Sequence, residues 1–126
     1  MKEKIEVEKG AGPLGPYSPA IRANSLVFVS GQIPLSPDSG EVVEGSIQVQ
    51  VRQVLENLKV LLQAAGSSLD KALKCTVYLT NLGDFDAMNE VYATYFAVDA
   101  PPARTTIEAA NLPRGVGVEI DVIAEA

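Results

Sequence analysis

The sequence predicts an α+β fold in one domain, residues 1–126, with a single mixed β-sheet and two helices packed on one of its faces. Apolar residues recur at helical spacing in two segments, 46–65 and 85–96. Short β-branched or alternating runs precede, separate and follow these helices, so the order of elements is strands, helix, strand, helix, strands. Two helices can cover only one face of a sheet, and the central strands are apolar on both faces. We therefore expect another copy of the chain to bury the second face.

Length and composition are those of an ordinary globular domain. The chain has 126 residues, of which 47% are hydrophobic and 21% charged, enough to bury most of its apolar surface. No apolar run approaches the roughly 20 residues that cross a bilayer. Residues 1–20 lack the pattern of a secretory or mitochondrial leader. We expect a cytoplasmic protein, or one of the mitochondrial matrix if a presequence has been removed.

The charge and the missing histidine argue against several functions. A formal net charge of −6, with ten basic residues spread along the chain, argues against a surface that follows nucleic-acid phosphates. Without histidine, serine or cysteine nucleophiles lose their usual base and metals lose their commonest ligand, so we expect no metal. The single cysteine, Cys75, lies in a strand-like run and is predicted to be a buried thiol.

The first third of the chain is predicted to form three strands. Residues 4–8 alternate in polarity, and residues 18–22 and 26–30 form a hairpin pattern. Gly31 follows the hairpin and is expected to let another group approach the backbone closely. Residues 10–15 match the letters of a dinucleotide-binding motif, G-x-G-x-x-G, but neighbouring prolines and the lack of a following helix exclude that function.

Both helices carry recognisable ends. Ser46 is the predicted N-cap of the first helix, and Gly66 stops it. A strand is predicted at 73–80, after which Asp84 is the predicted N-cap of the second helix. Asn89 lies on the flank of that helix. The side chains predicted to face inward from it are Phe85, Met88, Tyr92, Tyr95 and Phe96.

The last two predicted strands, 104–109 and 116–124, carry the candidate chemistry. Side chains alternate along a strand, so Glu119 points away from the helix-covered core. If these strands are antiparallel neighbours, Glu119 lies opposite 104–106. Arg104 starts its strand after two prolines, where a guanidinium suits a planar carboxylate. An exposed Arg104–Glu119 ion pair explains the same pattern without any site.

Five short motifs together resemble one family. In order and spacing, over nearly the whole chain, they resemble the Rid/YjgF family of reactive-intermediate deaminases; the segments are 15–20, 29–32, 88–92, 102–106 and 118–120. The resemblance implies a fold similar to chorismate mutase and a homotrimer with sites between subunits. It also implies hydrolysis of 2-imino acids, such as 2-iminobutanoate and 2-iminopropanoate, to 2-oxo acids and ammonia, with no cofactor.

The resemblance assigns a role to each candidate residue. Arg104 would clamp the substrate carboxylate together with the backbone N–H of Thr106. Tyr17 and Glu119 would hold the attacking water. The residues that would line the pocket are Ser30, Gly31 and Asn89. Many relatives have cysteine where this chain has Thr106, which bears on thiol-based regulation and on the fit of bulky substrates.

Hydrolysis of an imine requires little more from the protein than correct placement of the substrate and a water molecule. An imine carbon is already electrophilic, so orienting the substrate and one water supplies much of the catalysis. Glu119 beside Arg104 is expected to stay ionised near neutral pH, as a base should. Two other functions remain open: a non-catalytic trimer that binds small carboxylates or acts as a chaperone-like surface, and an endoribonuclease, against which the acidic charge and missing histidine argue.

Overall fold

The computed structural model describes residues 1–7, 15–96 and 99–126. The order of elements is β1 (Glu3–Ile5), β2 (Ala20–Ala23), β3 (Leu26–Gln32), α1 (Ile47–Ala64), β4 (Ala72–Leu79), α2 (Phe85–Tyr95), β5 (Ala103–Glu108) and β6 (Val118–Glu125). The predicted order of strands and helices is confirmed. Of the dinucleotide-like letters at 10–15, all but the last lie outside the described residues, as does the final residue of the strand predicted at 4–8.

The strands form one mixed sheet in the order β1-β2-β3-β6-β4-β5. All neighbours are antiparallel except β4 and β5, which run parallel. A parallel pair needs a crossover, and α2 supplies it between these two strands. The mixed sheet that the sequence predicts is therefore confirmed, with β6 between β3 and β4 near its centre.

The predicted pairing of the last two strands is wrong. β4 lies between β5 and β6, so Val77 pairs with Thr106 on one side and with Ile120 on the other. The α2 crossover lays β5 against the outer edge of β4. β6 then returns to the inner edge, where its alternate residues are buried: Val118, Ile120, Val122 and Ala124. Glu119 accordingly lies opposite Tyr78 and not opposite 104–106.

Both helices pack on one face of the sheet and share one core with it. α1 contributes the inward side chains that its spacing predicts: Val51, Val54, Leu55, Leu58, Leu61 and Leu62. The Ser46 hydroxyl accepts a hydrogen bond from the Val49 N–H at 3.4 Å, which confirms the N-cap. Gly66 ends the helix with φ at 79°, a left-handed conformation that glycine adopts without strain.

The start of α2 differs from the prediction. Asp84 has near-helical angles, φ −86° and ψ 4°, and its side chain makes no capping hydrogen bond, because a capping residue needs extended backbone. Asn81 has that backbone and accepts from the Gly83 N–H at 2.8 Å, which starts the short turn Leu82–Asp84. Phe85, predicted to face inward, is 38% exposed.

The second face of the sheet is open in the single chain. It carries Phe28 and Ile107, which are 42% and 45% exposed, among polar side chains that include Tyr78, Glu119 and Asp121. That another copy of the chain covers this face stays a prediction. Within the described ranges, no helix is long and apolar enough to cross a membrane.

Candidate active site

Arg104 lies on β5 with its side chain against one face of α2. Its Nη1 donates to Asn89 Oδ1 at 2.7 Å and lies 4.0 Å from the sulfur of Met88. Its guanidinium carbon is 4.7 Å from the ring centre of Tyr92 and 5.5 Å from that of Phe85. These four α2 residues stand at positions i, i+3, i+4 and i+7, so one helix face holds the guanidinium through an amide oxygen and two π faces.

The Arg104 guanidinium has no acidic partner in the described part of the chain. The ion pairs found there involve Lys4, Arg22 and Arg114. A partly buried cation held by neutral groups keeps most of its positive potential, and its planar N–H fork matches a carboxylate. It borders a depression of about 460 Å³ lined by Asn89, Tyr92, Ala93, Phe96, Pro101 and Arg104. The arrangement can bind a small anion with an apolar side chain.

Cys75 and Tyr92 lie beneath the guanidinium and are inert at neutral pH. Cys75 is fully buried and pairs with Arg104 across β4 and β5, so the predicted buried thiol is confirmed. Burial raises the pKa of Cys75. Burial likewise raises the pKa of Tyr92 well above its ordinary value, and the Tyr92 hydroxyl has no hydrogen-bond partner among the described residues. Both groups keep their protons and support Arg104 without reacting.

Thr106 lies two residues along β5, on the same face as Arg104. It pairs with Val77 of β4, and its hydroxyl oxygen is buried with no hydrogen-bond partner among the described residues. A buried hydroxyl without a partner is costly unless something else satisfies it. This hydroxyl is therefore a polar group available on the Arg104 side of the sheet.

Glu119 lies on the other face of the sheet, over Gly31. A Cβ on Gly31 would stand 2.8 Å from the carboxyl carbon of Glu119 and collide with its Oε2. The pairing of β3 with β6 slips at this point, since Val29 pairs with Val122 but Gln32 pairs with Ile120. One extra residue of β3 forms a bulge there. The prediction that Gly31 permits a close approach is confirmed, and the approaching group is the Glu119 carboxylate.

The environment of Glu119 contradicts one expectation. Burial raises the pKa of Glu119, and the negative charge of Asp121 raises it further. Arg104 does not act on it, because β4 separates β5 from β6 and the two side chains leave opposite faces of the sheet. The prediction that Glu119 lies beside Arg104 is therefore wrong within one chain, whereas the ionised state of Glu119 near neutral pH stays a prediction.

Ser30 directly precedes Gly31 in the β3 bulge, and Tyr17 lies in the segment that leads into β2. The Ser30 hydroxyl donates to the carbonyl of Ser18 at 2.6 Å, and its N–H donates to the carbonyl of Pro19 at 2.9 Å. These bonds fix the segment before β2 against the β3 bulge. Tyr17 lies in the preceding turn, where its N–H donates to the carbonyl of Gly15, and its side chain is 46% exposed.

The candidate residues thus fall into two groups. The helix-face group comprises Arg104, Thr106 and Asn89, and the open-face group comprises Glu119 with Gly31 and Ser30 of the β3 bulge. Tyr17 lies in the turn before β2. Sequence reasoning missed the rings of Phe85 and Tyr92 as neighbours of Arg104, although their spacing with Asn89 along one helix face was a usable signal. Over the described ranges, no group of three His, Cys, Asp or Glu side chains is placed to hold a metal ion.

Fold and site geometry together define a class of protein. The chain is a small α+β protein whose mixed sheet is covered on one face by two helices, one of which holds a guanidinium without an acidic partner. It belongs to the family described as endoribonuclease L-PSP, whose model matches residues 8–126. This is the Rid/YjgF family that the five motifs resemble.

Individual relatives match this chain over nearly the full length of both proteins. A RutC family protein of Pyrococcus horikoshii is 52% identical over 98% of both chains. The 2-iminobutanoate/2-iminopropanoate deaminase of Mus musculus is 40% identical over 98% of this chain and 91% of its own. Among solved structures, E. coli TdcF with bound serine has a TM-score of 0.92 and 40% identity and covers 98% of each chain.

Proposed function

We propose that the protein is a hydrolytic deaminase that converts 2-imino acids, such as 2-iminobutanoate and 2-iminopropanoate, to 2-oxo acids and ammonia. The observation that carries the proposal is the Arg104 guanidinium, held by Asn89 and two rings beside a depression and without an acidic partner among the described residues. The likeness to a mouse protein named for this activity supports it.

Substrate binding is assigned to the helix-face group. Arg104 receives the substrate carboxylate through two parallel hydrogen bonds, with the backbone N–H of Thr106 beside it. Asn89 already occupies one guanidinium donor and so fixes the orientation of the fork. The apolar walls of Ala93 and Phe96 suit a short aliphatic side chain.

Water activation is assigned to Glu119 with Tyr17. The water oxygen adds to the carbon of the protonated imine, the π electrons of the C=N bond move to nitrogen, and Glu119 takes the proton that the water loses. Glu119 then returns this proton to the nitrogen. The carbon–nitrogen bond breaks, ammonia leaves, and the remaining hydroxyl proton passes to Glu119 as the carbonyl of the 2-oxo acid forms. A carboxylate with a raised pKa accepts a proton from water more readily than an ordinary one.

The two groups need two copies of the chain to meet. Arg104 and Glu119 leave opposite faces of one sheet, so a site that uses both combines Arg104 of one protomer with Glu119 of a neighbour. We propose a homotrimer with three such sites, in which the exposed Phe28 and Ile107 of the open face are buried between protomers.

Ammonia release from freshly generated 2-iminobutanoate tests the function. The protein should accelerate release above the spontaneous rate, and Arg104→Lys should accelerate it roughly tenfold less or weaker still. Arg52→Lys is the matched control, because Arg52 is exposed on α1 and should leave the rate unchanged. Equal release with and without the protein would refute the deaminase.

The second candidate is a non-catalytic protein that binds small carboxylates. The same guanidinium supports it, as does a structural relative solved with bound serine. It predicts Arg104-dependent binding of a 2-oxo acid with no acceleration of imine hydrolysis. The endoribonuclease named in the family description is disfavoured by the net charge of −6.

A further inference from the structure

Glu119 has an acidic neighbour on its own strand and a phenol on the next. Asp121 is two residues further along β6, on the same open face. Tyr78 of β4 pairs directly with Glu119, and its hydroxyl donates to Asp121 Oδ2 at 3.2 Å. The phenol therefore holds the Asp121 carboxylate on the face that carries Glu119.

In the described part of the chain, β3 and β4 contribute the other side chains beside Glu119. β3 contributes Gly31 and Gln32, whose amide nitrogen donates to the carbonyl of Ser30 at 3.0 Å. Lys74 of β4 lies on the same face, but its ammonium donates to the hydroxyl of Thr105 at 2.8 Å. Among the described residues, Asp121 and Tyr78 are the acidic groups that face Glu119.

We propose that Asp121, held in place by Tyr78, is a positioning residue that acts through Glu119 and sets how firmly this carboxylate holds a proton. The inference rests on the proposed role of Glu119 as the base. In the proposed trimer, a neighbouring Arg104 favours the ionised form of Glu119 and weakens it as a base. The fixed negative charge of Asp121 opposes that effect.

Tyr78 can keep this role across the neutral range. Burial, and then the charge of Asp121, raise the pKa of Tyr78, so the phenol stays protonated and remains a donor. The hydrogen bond from Tyr78 therefore continues to hold the Asp121 carboxylate on the face of the sheet that carries Glu119.

The direct test is a ¹³C NMR titration of the glutamate side-chain carboxyls in the assembled protein. The Glu119 signal is assigned by its absence in Glu119→Gln. In Asp121→Asn its midpoint should move to lower pH, whereas Asp121→Glu, which keeps the charge, should stay near the wild type. Asp70→Asn is the matched control, since it removes the same charge from an exposed turn and should move nothing.

An unchanged Glu119 midpoint in Asp121→Asn would overturn the proposal, as would an equal shift in Asp70→Asn. If Asp121→Asn does not fold, Tyr78→Phe decides: without the hydrogen bond from Tyr78 the Asp121 carboxylate can turn away from Glu119, so the Glu119 midpoint should move to lower pH, and an unchanged midpoint would overturn the proposal. The titration does not depend on turnover. A protein without deaminase activity would therefore refute the proposed function and still report on Asp121.

Discussion

Gly31 and Glu119 are so close that no side chain can stand between them. A methyl group on Gly31 would lie 2.8 Å from the Glu119 carboxyl carbon, nearer than unbonded carbons approach. The bulge in β3 brings Gly31 to this position, because two residues there face a single residue of β6. The backbone of one strand thus sets where the carboxylate of another can lie.

Gly31→Ala should displace the carboxylate of Glu119. The added methyl group meets the far end of a flexible side chain, which can turn away at little cost in stability, and a base moved by about an ångström loses roughly a hundredfold in rate. We expect a nearly unchanged melting temperature and a large fall in kcat. Thermal unfolding and the imine assay measure the two effects. Full activity in Gly31→Ala would show that the position of Glu119 does not matter to turnover.

Arg104→Lys should keep the positive charge and lose the planar pair of N–H donors that binds a carboxylate. Charge-assisted hydrogen bonds contribute about 1.5–3 kcal/mol, so kcat/KM should fall roughly ten- to a hundredfold or more. Folding should hardly change. Steady-state kinetics beside Arg52→Lys separate this loss from a general effect of replacing an arginine. Near-normal turnover in Arg104→Lys would remove the carboxylate clamp.

Much of the architecture could be predicted from the sequence, because periodicity reports burial directly. The first helix, its Ser46 cap and its stop at Gly66 follow from local rules. The approach at Gly31 also follows from a local rule, although the sequence does not say which group approaches. The pairing of the last two strands could not be predicted, because the chain places β5 and β6 on opposite edges of β4.

The site was harder to predict because the residues that build it are far apart in sequence. The alternation of buried and exposed side chains along β6 places Glu119 on the open face. The face on which Arg104 lies depends instead on the register of β5 with β4. The rings around Arg104 follow from a tertiary contact that overrides the inward position predicted for Phe85. The two groups of the site could be found in the sequence, whereas their separation by the sheet could not.

Glu119→Gln should separate binding from chemistry. The amide keeps the shape of the side chain but cannot accept the proton from water, and a general base contributes about 10²- to 10⁴-fold. We expect kcat to fall within that range while an unreactive 2-oxo acid still binds at Arg104. Calorimetric binding and single-turnover kinetics give the two quantities. Equal losses in binding and rate would mean that Glu119 holds substrate and not water.

Phe85→Leu should remove one of the two aromatic rings that hold the Arg104 guanidinium in place. The Phe85 ring lies 5.5 Å from the guanidinium carbon, and a cation–π contact at such a partly exposed place contributes about 0.5–1 kcal/mol. Affinity for the 2-oxo acid should fall about two- to fivefold. Phe85→Tyr keeps a ring and should retain wild-type affinity. A loss in both variants would point to packing and not to the π face.

Mixing two inactive variants tests whether the site combines two copies of the chain. If Arg104 of one protomer works with Glu119 of the next, a trimer that contains both Arg104→Lys and Glu119→Gln protomers has one intact site in three. Random exchange at equal amounts then restores about a quarter of all sites. A site within one chain would restore none. The matched control exchanges wild type with the double variant, and its activity should fall from about half to about a quarter of the undiluted wild type as mixed trimers form.

Light scattering run in parallel should give roughly three times the 13.3 kDa chain mass. A monomer at micromolar concentration, or no gain on mixing, would rule out a site shared between protomers.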